Sequence, residues 1–297
     1  MDLEKEIAIV INGLKDTIST ILEADKETIN VFLGIELEFY FLNQEHELNE
    51  NSLEIISLYN DIINISDLID EIVPEDGFNQ FEIIFKKTKD YIKLSTDIIK
   101  IRNYISNNYQ DITFQTFLNN FEPSNSMHFN ISIYHNDINI FNKDNINDEY
   151  MSIFVYFAIA GLLETMQDAI YLLTPTDNCY ERFKYSQLIS KHKHYPTNCS
   201  WGLNNRTCAI RIPNINYKNI DTRIEYRIPS ALCNPMYALY IIFYSINYGI
   251  KNELECSEPI FGDAFSYEND NLTELPKTKK LAYNLYKKGH FKNLLYN

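Results

Sequence analysis

Residues 31–42, VFLGIELEFYFL, are the stretch around which the chain is organised. This apolar run predicts a β-strand, and its two glutamates, Glu36 and Glu38, lie two positions apart, so both face the same side. Two carboxylates on one face of an apolar strand repel each other unless a cation lies between them. Alone, the pair is more often part of an edge strand in water. The alternative is a divalent-metal site, which needs further ligands elsewhere in the chain.

The composition is that of a folded protein. Of the 297 residues, 45% are hydrophobic and 14% aromatic, enough for one large domain or two ordinary ones. The net charge of −15 argues against a nucleic acid or an anionic membrane as partner. The apolar run 236–246 is shorter than the roughly 20 residues that a membrane span needs.

Five cysteines show neither metal-finger spacing nor the even count of a disulfide framework. The N-terminus has no basic segment followed by an uninterrupted apolar one, so we expect no secretion signal. Both observations favour a cytoplasmic protein with reduced thiols.

Apolar periodicity predicts a mixture of helices and strands. Helices are predicted within residues 3–21, 44–67, 88–107, 149–173, 234–248 and 277–288, and strands at 31–42, 79–85, 112–118, 127–134, 207–212 and 223–228. Residues 136–148 are expected to form a polar loop, and residues 177–201 a mobile one. Because strands and helices do not alternate regularly, we predict an α+β fold with a mostly antiparallel sheet flanked by helices.

Further acidic residues lie within or beside the apolar strands. With the first pair they make a set of six candidate ligands: Glu36, Glu38, Glu75, Glu82, His128 and Glu225. Carboxylates with a single imidazole suit Mg²⁺ or Mn²⁺ better than zinc. A second group consists of arginines, which can clamp phosphates and carboxylates with two parallel hydrogen bonds: Arg182, Arg206, Arg211, Arg223 and Arg227. Divalent ions beside arginines are typical of phosphoryl transfer.

Taken singly, each of these residues has a simpler explanation. Arg206 or Arg223 would more often be a surface ion-pair partner. A lone His128 in a strand is more often a hydrogen-bonded structural histidine than a metal ligand. Their joint occurrence in order along the chain favours the site.

Six segments, in this order, resemble successive motifs of the glutamine synthetase catalytic domain: GIELEFYF, EDGFNQFEI, SMHFNISI, AGLLETMQDAIYLLTPTDNCYERF, WGLNNRTCAIRIP and RIEYRIPSALCNPMYAL. The spacing in EDGFNQFEI is nearer to the gamma-glutamyl-amine ligase branch. The resemblance implies a catalytic domain over residues 31–297, preceded by a lead-in helix in residues 1–30. It also implies that the mostly antiparallel sheet is curved around a metal and ATP site.

The resemblance also implies roles for individual residues. One metal ion would be held by Glu38, Glu75 and Glu82, and the other by Glu36, His128 and Glu225. Arg206, Arg211, Arg223 and Ser132 correspond to positions that contact ATP. Arg182 and Arg227 correspond to positions that contact the glutamate substrate.

The implied reaction needs ATP and two or more Mg²⁺ or Mn²⁺ ions. ATP phosphorylates the side-chain carboxylate of glutamate, and ammonia or a small amine attacks the acyl phosphate to form an amide. Cations and arginines would bring the two anions together and stabilise the phosphoryl group.

Several positions depart from the family pattern. Only about 30 residues precede the first strand, so the N-terminal beta-grasp domain of the family is not expected and its ring assembly is in doubt. The substrate loop reads Pro123-Ser124-Asn125-Ser126, without its glycines, and Asn130 replaces a histidine. Leu188 occupies the flap where the family has a glutamate that takes a proton from the ammonium. The alternative prediction is therefore a protein that binds Mg-ATP or a partner without forming an amide.

Overall fold

The computed structural model describes residues 2–42, 45–119, 121–142, 151–185, 195–213, 221–266 and 271–295. Within these ranges the helices are α1 (Leu3–Leu22), α2 (Leu53–Ile62), α3 (Tyr91–Asn108), α4 (Ile153–Leu173), α5 (Glu181–Tyr185), α6 (Pro235–Lys251) and α7 (Lys279–Tyr286). The strands are β1 (Ile29–Phe41), β2 (Ile69–Pro74), β3 (Gln80–Thr88), β4 (Ile112–Thr113), β5 (Met127–His135), β6 (Ile138–Asn139), β7 (Trp201–Leu203), β8 (Ile210–Ile212) and β9 (Ile224–Tyr226).

The described strands form one open sheet in the order β2-β3-β1-β5-β9-β8-β7, with β4 added beside β1 and β6 beside β5. The pairs are antiparallel except β7 and β8, which are parallel. Helices flank the sheet, so the predicted α+β fold with a mostly antiparallel sheet is confirmed. The long strand β1 lies inside the sheet, between β3 and β5.

Strand β1 separates an apolar face from a polar one. Ile29, Val31, Leu33 and the alternate residues after them are at most 4% exposed and join the hydrophobic core. Full burial of such a side chain contributes about 1.5–3 kcal/mol. Because side chains alternate along a strand, Glu36 and Glu38 are forced onto the opposite face. The core thus determines where the carboxylates point.

The helices cover the apolar face. Helix α4 packs against α6 and α7, and α1 packs against α6. Gly161 and Gly249 allow α4 and α6 to approach closely, since a Cβ on Gly161 would lie 2.1 Å from the carbonyl oxygen of Ser245. By length and composition α4 could span a bilayer, but 56% of its apolar window is buried inside the fold, as expected for a core helix.

Local sequence signals mark where several helices begin. The side chains of Asp2, Asp90 and Thr278 each accept a hydrogen bond from a backbone N–H in the first turn of α1, α3 and α7. Helix α6 begins with Asn234 as its cap and Pro235 in its first turn, a position where proline loses no hydrogen bond.

Three strands, β2, β6 and β7, were not predicted. In β2 a register shift between Ile69 and Glu71 breaks the alternation, so its sequence lacks the two-residue period that identifies a strand. Strand β7 has only three residues and begins at the end of the predicted mobile loop.

The two predicted loops are only partly described. Residues 177–185 form a 3₁₀ turn followed by α5, so the loop prediction is wrong there. Residues 138–139 of the predicted polar loop form β6. Residues 143–148 and 186–194, including Leu188, lie outside the described residues.

Candidate metal and anion site

Strand register brings the predicted ligands together. Glu38 lies opposite Glu82 of β3, and Glu36 lies opposite His128 of β5. On the far side of β5, Asn130 faces Glu225 of β9. Directly opposed Cβ atoms lie about 4.5–5.5 Å apart, so four neighbouring strands place these side chains in one cluster on the polar face.

The first group of possible ligands contains Glu36, His128 and Glu225, with one ligand atom from each within 4.8 Å of the others. His128 Nδ1 lies 3.3 Å from Glu36 Oε2 and 3.9 Å from Glu225 Oε1. These are the same three residues that the resemblance implies for one ion.

The second group contains Glu38, Glu82 and His128, again within 4.8 Å. His128 Nδ1 lies 3.6 Å from Glu38 Oε1, so the histidine lies between the groups. Glu75 is outside both groups, yet it lines a cavity of about 20 Å³ with Glu38 and His128. Of the three residues that the resemblance implies for this ion, the structure brings Glu38 and Glu82 together and leaves Glu75 outside the group.

The donor set fits divalent metal ions of the hard class. It consists of carboxylate oxygens and one imidazole nitrogen, which suits Mg²⁺ or Mn²⁺, and it contains no thiolate. All five cysteines are free, in agreement with the predicted reduced thiols, and they take no part in either group.

The carboxylates of the two groups differ in their charge. Burial, together with the nearby carboxylates of Glu36 and Glu38, raises the pKa of Glu82 to about 9. Burial would also raise the pKa of Glu225, but Arg227, His128 and Arg211 outweigh it and lower that pKa to about 2. Like charges favour the protonated acid, and opposite charges favour the carboxylate.

Glu38 is buried as well, and that burial raises its pKa, against the opposing effect of His128. Its Oε2 accepts a hydrogen bond of 2.6 Å from the backbone N–H of Ser126. The loop of residues 123–126, which lacks the glycines of the family, therefore still donates a backbone hydrogen bond to Glu38.

Four of the five arginines have acidic or amide partners. Arg211 Nη1 lies 2.7 Å from Glu225 Oε2, and Arg227 also donates to Glu225. Arg206 Nη1 lies 3.3 Å from Glu75 Oε1. Arg223 Nε donates to Asn130 Oδ1 at 2.9 Å.

Arg182 differs from the other four. Its side chain is fully buried, and its hydrogen bonds go to Ser126 Oγ and the carbonyl oxygen of Ile228. Within the part of the chain that the structure describes, no carboxylate lies within 4.0 Å of Arg182, and its Nε has no partner. Burial lowers the pKa of Arg182. An unpaired buried guanidinium is costly, so this position favours an anionic ligand.

Ser132 and an aromatic pair extend the polar face away from the metal groups. Ser132 of β5 is opposite Phe32 of β1 and is buried. The rings of Phe32 and Tyr134 pack edge to face with centroids 5.3 Å apart, and Lys87 Nζ lies 4.7 Å from the Tyr134 centroid. Sequence reasoning missed this pair, although the two-residue period from Glu36 and His128 places both rings on the same face.

Asn79 and Gln80 hold the turn beside the site. Asn79 has φ of 56°, a left-handed conformation that asparagine tolerates. Gln80 Nε2 donates to Ser124 and Asn125, and its Oε1 accepts from the N–H of Gly77. Sequence reasoning gave Asn125 no structural role, but its side chain is fully buried in this network.

A sequence model described as the glutamine synthetase catalytic domain matches residues 54–293. The chain is 26% identical over 270 residues to gamma-glutamylputrescine synthetase PuuA of Escherichia coli, covering 80% of this chain and 54% of that protein. It is 27% identical over 281 residues to glutamine synthetase of Pyrococcus furiosus, covering 87% and 58%. The chain therefore spans little more than half the length of these relatives.

The solved structure of a GmaS complex with ADP superposes on this fold with a TM-score of 0.73, at 17% identity, over 96% of this chain and 68% of that one. A GmaS structure without ligand gives a TM-score of 0.70 at 18% identity, over 95% and 68%. At this identity the agreement concerns the fold.

Proposed function

Because this chain belongs to the glutamine synthetase catalytic-domain family, we propose that it is an ATP- and Mg²⁺-dependent ligase that joins glutamate to ammonia or a small amine. The reaction has two steps. A side-chain carboxylate oxygen of glutamate attacks the γ-phosphorus of ATP, and ADP leaves. The nitrogen of ammonia or an amine then attacks the acyl carbon, and phosphate leaves as the amide forms.

The observation that carries this proposal is the pair of ligand groups around His128 on the polar face of the sheet. We assign Glu36, His128 and Glu225 to one ion, and Glu38 and Glu82 to the other, with Glu75 reaching the second ion once Arg206 releases it. Mn²⁺ could replace Mg²⁺. Such ions, when bound, neutralise phosphoryl oxygens and bring anionic reactants together.

The second supporting observation is the environment of Arg182. A fully buried guanidinium with no carboxylate within 4.0 Å among the described residues is suited to a carboxylate ligand. Arg227 lines the cavity beside Glu38 and forms an ion pair with Glu225. We assign both arginines to glutamate, which they would orient with its side chain towards the ions.

The third is the length of the polar face. From Glu36 to Phe32 along β1 is four residues, or roughly 13 Å, comparable to the extent of a nucleoside triphosphate from γ-phosphate to base. Arg206, Arg211 and Arg223 would contact the phosphates near the ligand groups, and Ser132 lies midway along β5. The Phe32–Tyr134 pair would then receive the base by stacking.

The chain's own residues have limited tasks in this mechanism. The phosphate and the carboxylate are both anions and repel each other. The arginines would hold them in contact and so lower the barrier through orientation and charge stabilisation. Arg211 is paired with Glu225, which would also hold the ion, so its guanidinium would be free to contact a phosphate once the ion binds.

A second candidate function is binding of Mg-ATP without amide formation. Leucine at position 188, where the family flap has a glutamate, favours it, because leucine cannot accept the proton of an incoming ammonium. The reduced cysteines and the acidic composition support a cytoplasmic location in either case.

The deciding experiment measures ADP release with glutamate and a panel of amines, beginning with ammonium and putrescine. We expect amine-dependent ADP release that requires Mg²⁺ and stops on chelation. Calorimetric titration of ADP with and without Mg²⁺ is run in parallel. Metal-dependent ADP binding without turnover on any amine would support the second candidate, and absence of both would refute the two together.

A further inference from the structure

Asn130 lies between the metal groups and the phosphate-binding arginines that we propose. It is on β5, two residues from His128 and two from Ser132, so all three side chains share the polar face. Across the sheet it is opposite Gly34 of β1 and Glu225 of β9. The absence of a side chain at Gly34 leaves the space above β1 to Asn130.

The Asn130 amide connects a carboxylate to a guanidinium. Its Nδ2 donates to Glu36 Oε1 at 3.0 Å, and its Oδ1 accepts from Arg223 Nε at 2.9 Å. A carboxylate can only accept and a guanidinium can only donate, which determines the orientation of the amide. A side chain at this position must therefore offer one donor and one acceptor.

The two partners of Asn130, Glu36 and Arg223, each keep atoms that can bind a ligand. With Oε1 held by Asn130, the Oε2 of Glu36 lies 3.3 Å from His128 Nδ1, inside the first ligand group. In the described part of the chain, the hydrogen bond of Arg223 is the one made by Nε. Its two terminal nitrogens therefore remain available for two parallel bonds to a phosphate.

We propose that Asn130 is a positioning residue that couples nucleotide binding at Arg223 to divalent-ion binding at Glu36. The nucleotide would order the Arg223 end of this hydrogen-bonded chain, and the divalent ion would order the Glu36 end. Binding of either ligand therefore reduces the entropy that is lost when the other binds. The nucleotide half rests on the proposed function, whereas the Glu36 half needs only the metal ion. Asn130 itself contacts neither reactant.

The first test measures Mn²⁺ binding alone by electron paramagnetic resonance, without nucleotide. Residues that orient metal ligands typically change metal affinity by about 10–100-fold, so Asn130→Ala should weaken one of two Mn²⁺ sites by that factor. Asn130→His supplies one donor and one acceptor and should restore most of the affinity. An unchanged Mn²⁺ affinity in Asn130→Ala would overturn the proposal.

Matched controls separate positioning from folding. Asn198 is a buried asparagine elsewhere in the fold whose Nδ2 donates to the backbone carbonyl of Ala264, and it belongs to neither ligand group. Asn198→Ala should lower the melting temperature and leave Mn²⁺ affinity within about threefold, well inside the range expected for a ligand-orienting residue. If Asn130→Ala does not fold, Asn130→Ser is used, which is too short to reach both partners.

The second test is a double-mutant cycle on ADP affinity in the presence of a chelator. Asn130→Ala should weaken ADP several-fold in the wild-type background and have no effect in Arg223→Ala, because its influence acts through Arg223. In wild-type protein, ADP should strengthen Mn²⁺ binding by about 5–150-fold, the usual range of coupling, and Asn130→Ala should abolish that gain.

The outcomes distinguish the two proposals. A wild-type protein that binds neither Mn²⁺ nor ADP would refute the proposed function and this inference together. A wild-type protein that binds both, with equal effects of Asn130→Ala in the presence and absence of Arg223, would refute the coupling alone.

Discussion

The two ligand groups around His128 are built from the same side chains but hold their charge differently. At the Glu225 end, Arg211 and Arg227 surround the carboxylate, whose pKa falls to about 2. At the Glu82 end the neighbours are other carboxylates, and the pKa rises to about 9. Without a metal ion, the first group is therefore ionised and paired, while the second retains a proton.

Because of this difference, a metal ion must displace different groups at the two ends. An ion at the Glu225 end competes with arginines that are already in place, and it frees them to contact another anion. An ion at the Glu82 end displaces a proton. The comparison thus predicts one end whose metal affinity depends on arginines and another whose affinity depends on pH.

The largest expected effect is on the stability of the metal-free protein. Glu225→Gln removes the charge that the buried Arg227 and the partly exposed Arg211 face, and breaking a buried pair costs about 3–5 kcal/mol. Glu82→Gln replaces a protonated acid with a neutral group of the same shape and should cost far less. Chemical denaturation in the presence of a chelator compares the two; equal losses would mean that the two ends do not differ in charge.

The next effect is on turnover. Glu38 lies beside both Glu82 and His128, so Glu38→Ala and Glu38→Gln should each lower amine-dependent ADP release by at least about 100-fold, the upper range for residues that merely orient a ligand. Glu71→Ala, on the exposed face of β2, is the matched control and should retain activity. Undiminished turnover in the Glu38 variants would place the site elsewhere.

The third effect is the pH dependence of metal binding. With a pKa of about 9 for Glu82, each ion bound between pH 6.5 and 8.5 must displace one proton, so Mg²⁺ affinity should rise about tenfold per pH unit. Calorimetry in two buffers with different ionisation enthalpies counts the proton. Glu82→Gln should remove both the slope and the proton release; a slope that persists in this variant would contradict the assignment.

The same group predicts a trend in metal-free stability. Its folded pKa lies above the unfolded value of 4.5, so its contribution is complete below about pH 4.5 and is lost as pH rises through about 9. In thermal unfolding with a chelator, the melting temperature should fall less between pH 6 and pH 9 in Glu82→Gln than in the wild type.

The smallest effect concerns the arginine end. Arg211→Gln removes one of the cations that compete for Glu225, so Mn²⁺ affinity without nucleotide should rise a few-fold while the KM for ATP also rises. A fall in both affinities would indicate that Arg211 supports the ion rather than competing with it. Lys100→Gln, which removes an exposed cation paired with Asp97 on α3, serves as the charge-matched control.

Much of the architecture could be predicted from local patterns. The alternation in β1 and β5 and the helical spacing of α1, α3 and α6 predicted elements that the structure confirms. These patterns arise from burial on one face, which acts over a few residues. Strand β2, with a bulge at Glu71, carries no such pattern and was missed.

The partners of the site residues could not be predicted in the same way. The His128–Glu36 pair joins positions 92 residues apart, and Arg206 meets Glu75 across 131 residues. Such pairings depend on strand order and register, which no local period specifies. The position of Asn130 between Glu36 and Arg223 belongs to the same class.

The sequence by itself determined which chemical groups are present and which face of each strand they occupy, since side-chain type and the two-residue period are local properties. Only the tertiary structure decided which of those groups are ionised and which are protonated. Glu82 and Glu225 are the same side chain within similar apolar strands, yet their pKa values are about 9 and about 2. The difference arises because strand pairing buries Glu82 among the carboxylates of β1, whereas it places Glu225 between Arg227, two residues away, and Arg211 of the neighbouring strand β8.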